Sequence, residues 1–141
     1  MDRRSSELLE RLRELEDRQA LASLMNRYVA AVDAFDWEAW GACWAPDAVA
    51  DFGRSGALEG REAIVGAARA RQSDYDGMQH LIANAEFDVT GDTAEGYGNL
   101  LFSAAQPRHA ICGKYRWEFE RGPAGWQIKR AFLKRLWTVG R

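Results

Sequence analysis

Apolar residues recur every three or four positions through the first part of the chain and every second position through much of its later half. That change of period predicts helices first and strands afterwards. Residues 5–35 read as one helix, with Ser5 or Ser6 as its cap and Leu8, Leu12, Leu15, Leu21, Met25, Tyr28 and Val32 at helical spacing. The charges of Glu16, Asp17 and Arg18 interrupt the apolar stripe, so a bend is expected there. A second helix is predicted over Asp36–Ala45, capped by Asp36 and ended by Pro46-Asp47. Its Trp37, Trp40 and Trp44 fall on one face. The triplet reads first as core packing, with Trp44 also a candidate wall for a substrate.

Two short strands, Ala48–Phe52 and Ala57–Glu59, are expected around a turn over 53–56, followed by a third helix over Arg61–Gln72. Four long extended segments come next: Met78–Val89, Ala94–Ala105, Ala110–Arg121 and Trp126–Trp137. Turns at Thr90-Gly91-Asp92, Gln106-Pro107-Arg108 and Gly122-Pro123-Ala124-Gly125 separate them. In the third segment Tyr115, Trp117 and Phe119 alternate with charged residues, as in an antiparallel strand buried on one face. Helices followed by meandering strands define an α+β fold, read as one domain over residues 1–141. A sheet that curls over amphipathic helices encloses a cone with one open mouth, a natural place for an apolar pocket.

Composition narrows the function. The 141 residues are 47% hydrophobic and 28% charged, with a net charge of −2. Basic and acidic residues are interleaved, which gives no reason to expect a nucleic-acid or anionic-membrane partner. Cys43 and Cys112 lie in apolar surroundings and read as reduced, buried thiols. The charged N-terminus lacks the apolar core of a signal peptide, so a cytoplasmic protein is expected. No nucleotide loop, nucleophile elbow or metal-ligand cluster is present, and no cofactor or metal is expected.

Two residues stand out chemically. His80 opens an apolar strand in which alternation groups it with Ile82 and Asn84, away from Leu81 and Ala83. Asp33 sits at the C-terminal end of the first helix, where the helix dipole disfavours a carboxylate, so it needs a partner or a task. A carboxylate bound to one imidazole nitrogen fixes the tautomer and leaves the other nitrogen as a base near neutral pH. Tyr28, a little over one helical turn before Asp33, could donate a hydrogen bond into the same space. Asn84, Tyr97, Asn99 and Tyr115 are candidates for polar lining. His109 is either a turn residue or a second acid at the pocket mouth. Arg130, grouped by alternation with Trp126 and Ile128, is either an anion partner or a surface arginine.

These residues, with the segments Arg27–Asp33, Asp36–Trp40, Trp44–Ala48, Gly60–Ile64, Gln79–Asn84 and the Gly113–Ile128 hairpin, resemble the SnoaL-like branch of the nuclear-transport-factor-2-like superfamily. That branch includes scytalone dehydratase, bile acid 7α-dehydratase and hexachlorocyclohexane dehydrochlorinase. The resemblance implies a cone-shaped α+β barrel with a curved, mostly antiparallel sheet wrapped around the N-terminal helices. It places Asp33 and His80 at the Asp-His dyad of the eliminating members, and Tyr28 at the catalytic tyrosine of the bile acid enzyme. His109 falls near the second histidine of scytalone dehydratase. It also implies a homo-oligomer, and the Phe132, Leu133, Leu136 and Trp137 tail offers apolar area for that contact or for closing the pocket. The reading that follows is a cofactor-independent lyase acting on a small hydrophobic, cyclic substrate. An isomerase or polyketide cyclase using the same dyad is a second reading, and a non-catalytic ligand-binding or assembly domain a third.

Overall fold

A computed structural model describes residues 1–54 and 56–141; Ser55, within the expected 53–56 turn, lies outside them. Helix α1 (Arg3–Asp33) is capped by Asp2, whose side chain accepts from the Ser5 amide, so the cap falls before Ser5. It runs unbroken through the expected bend. There Arg18 pairs with Glu14 along the helix and the part-buried Asp17 with Arg121, so the charges interrupt the apolar stripe without interrupting the backbone. Leu8, Leu12 and Leu15 are exposed, whereas Leu21, Leu24, Met25, Tyr28 and Val32 are buried. Only the second half of α1 packs on the sheet.

Helix α2 (Trp37–Ala42) is shorter than expected, and strand β1 (Trp44–Asp51) follows at once. Trp44 and Ala45 are fully buried, and Trp44 pairs in parallel with Ile128, whose amide donates to the Cys43 carbonyl. The sheet therefore claims the chain before Pro46. Pro46 and Asp47 lie where the register between β1 and β6 shifts, a place where a missing amide costs nothing.

Strand β2 (Leu58–Glu59), helix α3 (Arg61–Gln72) and strands β3 (Met78–Thr90), β4 (Thr93–Ala105), β5 (Arg108–Gly122) and β6 (Gly125–Gly140) complete the molecule. The six strands form one curved, unclosed sheet in the order β2-β1-β6-β5-β4-β3, antiparallel except for β1 beside β6. The concave face of the sheet wraps α1, α2 and α3, the cone expected from the sequence.

Three irregularities decide which side chains face inward. Between Ala83 and Glu86 the β3–β4 register shifts, and Asn84 takes a left-handed φ of 56°. Between Glu118 and Phe119 the β5–β6 register shifts, which leaves Lys129 as an extra residue. Between Cys112 and Gly113 it shifts again, at Leu136. Each extra residue reverses the alternation beyond it. On the inner face of β4, Gly96 and Gly98 leave room for Trp117; a Cβ at Gly98 would stand 2.7 Å from the Trp117 ring. The core joins Trp40, Trp44, Tyr28 and Tyr115 through tilted and edge-on ring contacts, each adding about 0.5–1.5 kcal/mol beyond its area.

Candidate active site

Asp33 is the last residue of α1. The helix stops there because Phe35 adopts a left-handed φ of 57°, while the Asp36 amide turns back to the Ala31 carbonyl. This turn points the Asp33 carboxylate at the start of β3. There the His80 amide donates to both carboxylate oxygens at 3.0 Å, and His80 Nδ1 lies 2.6 Å from Oδ1. These bonds offset the unfavourable end of the helix dipole; hydrogen bonds to a charged group contribute about 1.5–3 kcal/mol each. A carboxylate only accepts, so Nδ1 is the donor in this contact, and in the neutral tautomer the lone pair lies on Nε2.

His80 lines a cavity of about 70 Å³ enclosed by α1, α2, α3 and the concave face of the sheet, with Asp33 behind it. Val32, Leu100, Phe102, Ile111 and Leu133 supply apolar wall, and Tyr28, Tyr115 and His109 supply polar groups. The Tyr28 and Tyr115 hydroxyls lie 3.1 Å apart. Burial, reinforced by the neighbouring Tyr115, pushes Tyr28 well above the ordinary phenol range. Tyr115 is pushed up to about 12, again chiefly by burial. Both stay protonated. One donates to the other, and the second proton remains available to a ligand.

His109 does not face solvent: it is buried on β5, with Nδ1 2.6 Å from the Tyr75 hydroxyl. Burial, with repulsion from Arg135, Arg54 and Arg141, holds its imidazole below the usual range. It is therefore neutral at pH 7. Tyr75 itself packs edge-on against Phe102, which also touches both histidines.

Five expected lining residues lie elsewhere. Asn84 is exposed because the bulge takes it off the His80 face. Tyr97 and Asn99 point to the convex side with Leu101, since the inner positions of β4 belong to Gly96, Gly98, Leu100 and Phe102. Trp44 is buried core, away from the cavity. Arg130 is exposed and pairs with Glu118. Because Lys129 is the extra residue of the bulge, Ala131, Leu133 and Arg135 become the inner series of β6, and Arg135 reaches the cavity in place of Arg130. Arg54, Arg71, Gln72 and Tyr75 also line the cavity without having been singled out in the sequence. Only the aromatic Tyr75, set between two aspartates in a loop, gave a faint signal. Of the apolar tail, Leu133 lines the cavity, while Leu136 and Trp137 are exposed.

Among the described residues no three histidine, cysteine or acidic side chains gather as a metal site, and no helix is long and apolar enough to cross a membrane.

A cone of α-helices and a curved, unclosed six-stranded sheet matches the nuclear-transport-factor-2-like class of folds. Within it, residues 13–131 match the SnoaL-like domain, and the chain belongs to that family. A nuclear-transport-factor-2-like protein with a cystatin-like fold from Novosphingobium aromaticivorans is 30% identical and superimposes with a TM-score of 0.76, covering 93% of this chain and 89% of that one. A candidate scytalone dehydratase from the same organism is 20% identical, with a TM-score of 0.81 over 93% of this chain and 89% of that one. A type 2 hexachlorocyclohexane dehydrochlorinase, also 20% identical, gives 0.81 over 92% of each chain. The last two likenesses are in fold.

Proposed function

We propose that the chain is a lyase that eliminates water or halide from a small hydrophobic, cyclic substrate, with His80 as base and Asp33 as its orienter. The observation that carries this reading is the 2.6 Å contact between Asp33 and His80 Nδ1 on the wall of an apolar cavity. Nε2 takes a proton from a carbon beside an activating carbonyl, and the C–H electron pair forms the new double bond. The bond to the leaving group breaks. Halide departs as the anion; hydroxide departs as water after receiving the proton held by His80. The Tyr28–Tyr115 pair supplies the hydroxyl that stabilises charge developing on the carbonyl oxygen, and the apolar wall excludes water. None of these steps calls for a cofactor.

The test is mass-spectrometric analysis of products from hydroxylated and halogenated cyclic substrates, with His80→Ala as control. Loss of water or halide that depends on His80 supports elimination. Mass-neutral products that depend on His80 would instead indicate an isomerase or cyclase, which needs the same groups. Activity that survives His80→Ala nearly intact defeats the dyad.

We also place self-association on the convex face. Leu81, Leu101, Cys112 and Trp137 follow one another across β3, β4, β5 and β6, forming an apolar row with its leucines and tryptophan exposed. Sedimentation of Leu101→Lys as a smaller species than the parent chain is the expected result.

A further inference from the structure

The cavity holds more positive charge than proton transfer requires. Arg54 from the segment after β1 and Arg135 from β6 converge on it, beside Arg71 from the last turn of α3, which has an interaction of its own. Among the described residues no aspartate or glutamate lines the same space. Several arginines elsewhere stand beside carboxylates, Arg18 with Glu14, Arg130 with Glu118 and Arg141 with Asp74, while Arg61 donates to the Trp44 carbonyl. Arg135 spends its Nε on the Phe52 carbonyl at 2.8 Å. Burial, then repulsion from Arg54 and Arg71, holds its guanidinium below the ordinary range. Grouping cations in a partly buried space destabilises a fold unless an anion joins them.

A second observation points the same way. Trp40 and Gln72 line the cavity, and each has a buried polar atom, Nε1 and Oε1 respectively, without a hydrogen-bond partner among the described residues, as have the Nε1 atoms of Trp44 and Trp117 outside it. Buried polar atoms in folded proteins are nearly always paired, so the Trp40 N–H is a donor open to an anion, whereas the Gln72 oxygen only accepts and calls for a donor on the ligand.

We propose that Arg135, with Arg54 beside it, binds a carboxylate, and that the substrate is a small cyclic organic acid held by this anchor and presented to His80. With Nε engaged, the two Nη groups of Arg135 form a planar edge that matches the two oxygens of a carboxylate. The carboxylate serves as anchor only. Its own α-proton is too weakly acidic, so the proton His80 removes lies beside a second carbonyl, whose oxygen meets the Tyr28–Tyr115 pair. The presentation to His80 rests on the elimination proposed above; the anchor does not.

Calorimetric titration of the whole protein with crotonate, benzoate and cyclohexanecarboxylate, each against its own carboxamide, and with methyl phosphate, tests the anchor. At least one acid is expected to bind about tenfold or more tightly than its amide. That preference should fall about tenfold in Arg135→Gln, fall less in Arg54→Gln, and persist in His80→Ala. Arg135→Lys, which keeps charge without the fork, should retain part of it, and the comparison of acid with amide on the parent chain needs no variant at all. The anchor is overturned if no acid binds below about 10 mM, if amides match their acids, if methyl phosphate is preferred, or if folded Arg135→Gln keeps the full preference. Carboxylate preference in a protein whose turnover ignores His80→Ala would sink the elimination and leave the anchor standing.

Discussion

His80 and His109 occupy the two strands that flank β4, both are buried, and both touch the ring of Phe102. Each has Nδ1 held at 2.6 Å by an oxygen. The oxygens differ, and that difference sets what the far nitrogen can do. Asp33 only accepts, so in the neutral ring the His80 proton sits on Nδ1 and the lone pair on Nε2. Tyr75 offers a phenol, a better donor than a neutral imidazole N–H, so its proton goes to Nδ1 and the His109 proton to Nε2. One cavity thus holds a histidine disposed to accept and another disposed to donate. Their surroundings reinforce the contrast, since His109 lies close to the arginines that push it toward neutrality.

The comparison breaks most visibly at His80. His80→Ala should lower kcat/KM by about 10²–10⁴-fold, the range a positioned general base supplies. Asp33→Asn should follow at about 10²-fold, because an amide can donate to Nδ1 and favour the wrong tautomer. It should also lower stability by about 1.5–3 kcal/mol in urea unfolding, since one carboxylate receives both the amide and the ring of His80. A variant with full activity and lower stability would make Asp33 a structural clamp alone. Tyr28→Phe should cost less, about tenfold in kcat, because Tyr115 keeps a hydroxyl in the cavity. Equal rates for Tyr28→Phe and the parent chain would remove the pair from the reaction.

The contrast between the two histidines was only half legible in the sequence. Asp33 announced itself by sitting at the wrong end of a helix dipole, and His80 by opening an apolar strand. Helix α3 was legible to its ends, since Gly60 leads into it and Ile64 and Ala68 face the core. Strand β5 was legible over Ala110–Arg121 because Tyr115, Trp117 and Phe119 alternate with charged residues; its extension back through His109 was not. Bulges were not. They depend on how one strand curls against its neighbour, and a single extra residue reverses every side chain beyond it. That is why Asn84 was expected inside and lies outside, and why Arg130 was considered where Arg135 belongs. Nor does spacing reveal what covers a helix: Leu8, Leu12 and Leu15 follow the same rule as Leu21 and Tyr28 yet remain exposed. Tyr75 was hidden for a different reason, because it reaches His109 from a loop that no periodicity describes.

His109 offers the finest test, and the smallest effect. Its imidazole is held below the usual histidine range chiefly by burial, then by Arg135, Arg54 and Arg141. The unfolded chain therefore binds this proton more readily than the folded one. The neutral ring's contribution to stability is complete above the unfolded value near 6.5 and is lost as the pH falls through the lower folded value. Unfolding midpoints between about pH 8 and pH 5 should decline on acidification, and less steeply in His109→Gln, which has no ring to protonate. Turnover in this variant should drop less than in Tyr28→Phe, because a glutamine amide can still donate. Parallel midpoint curves for the two proteins would mean that protonation of His109 does not limit the fold. A turnover loss as large as that of His80→Ala would mean that the two histidines act as one unit, and that assigning acceptance to one and donation to the other is wrong.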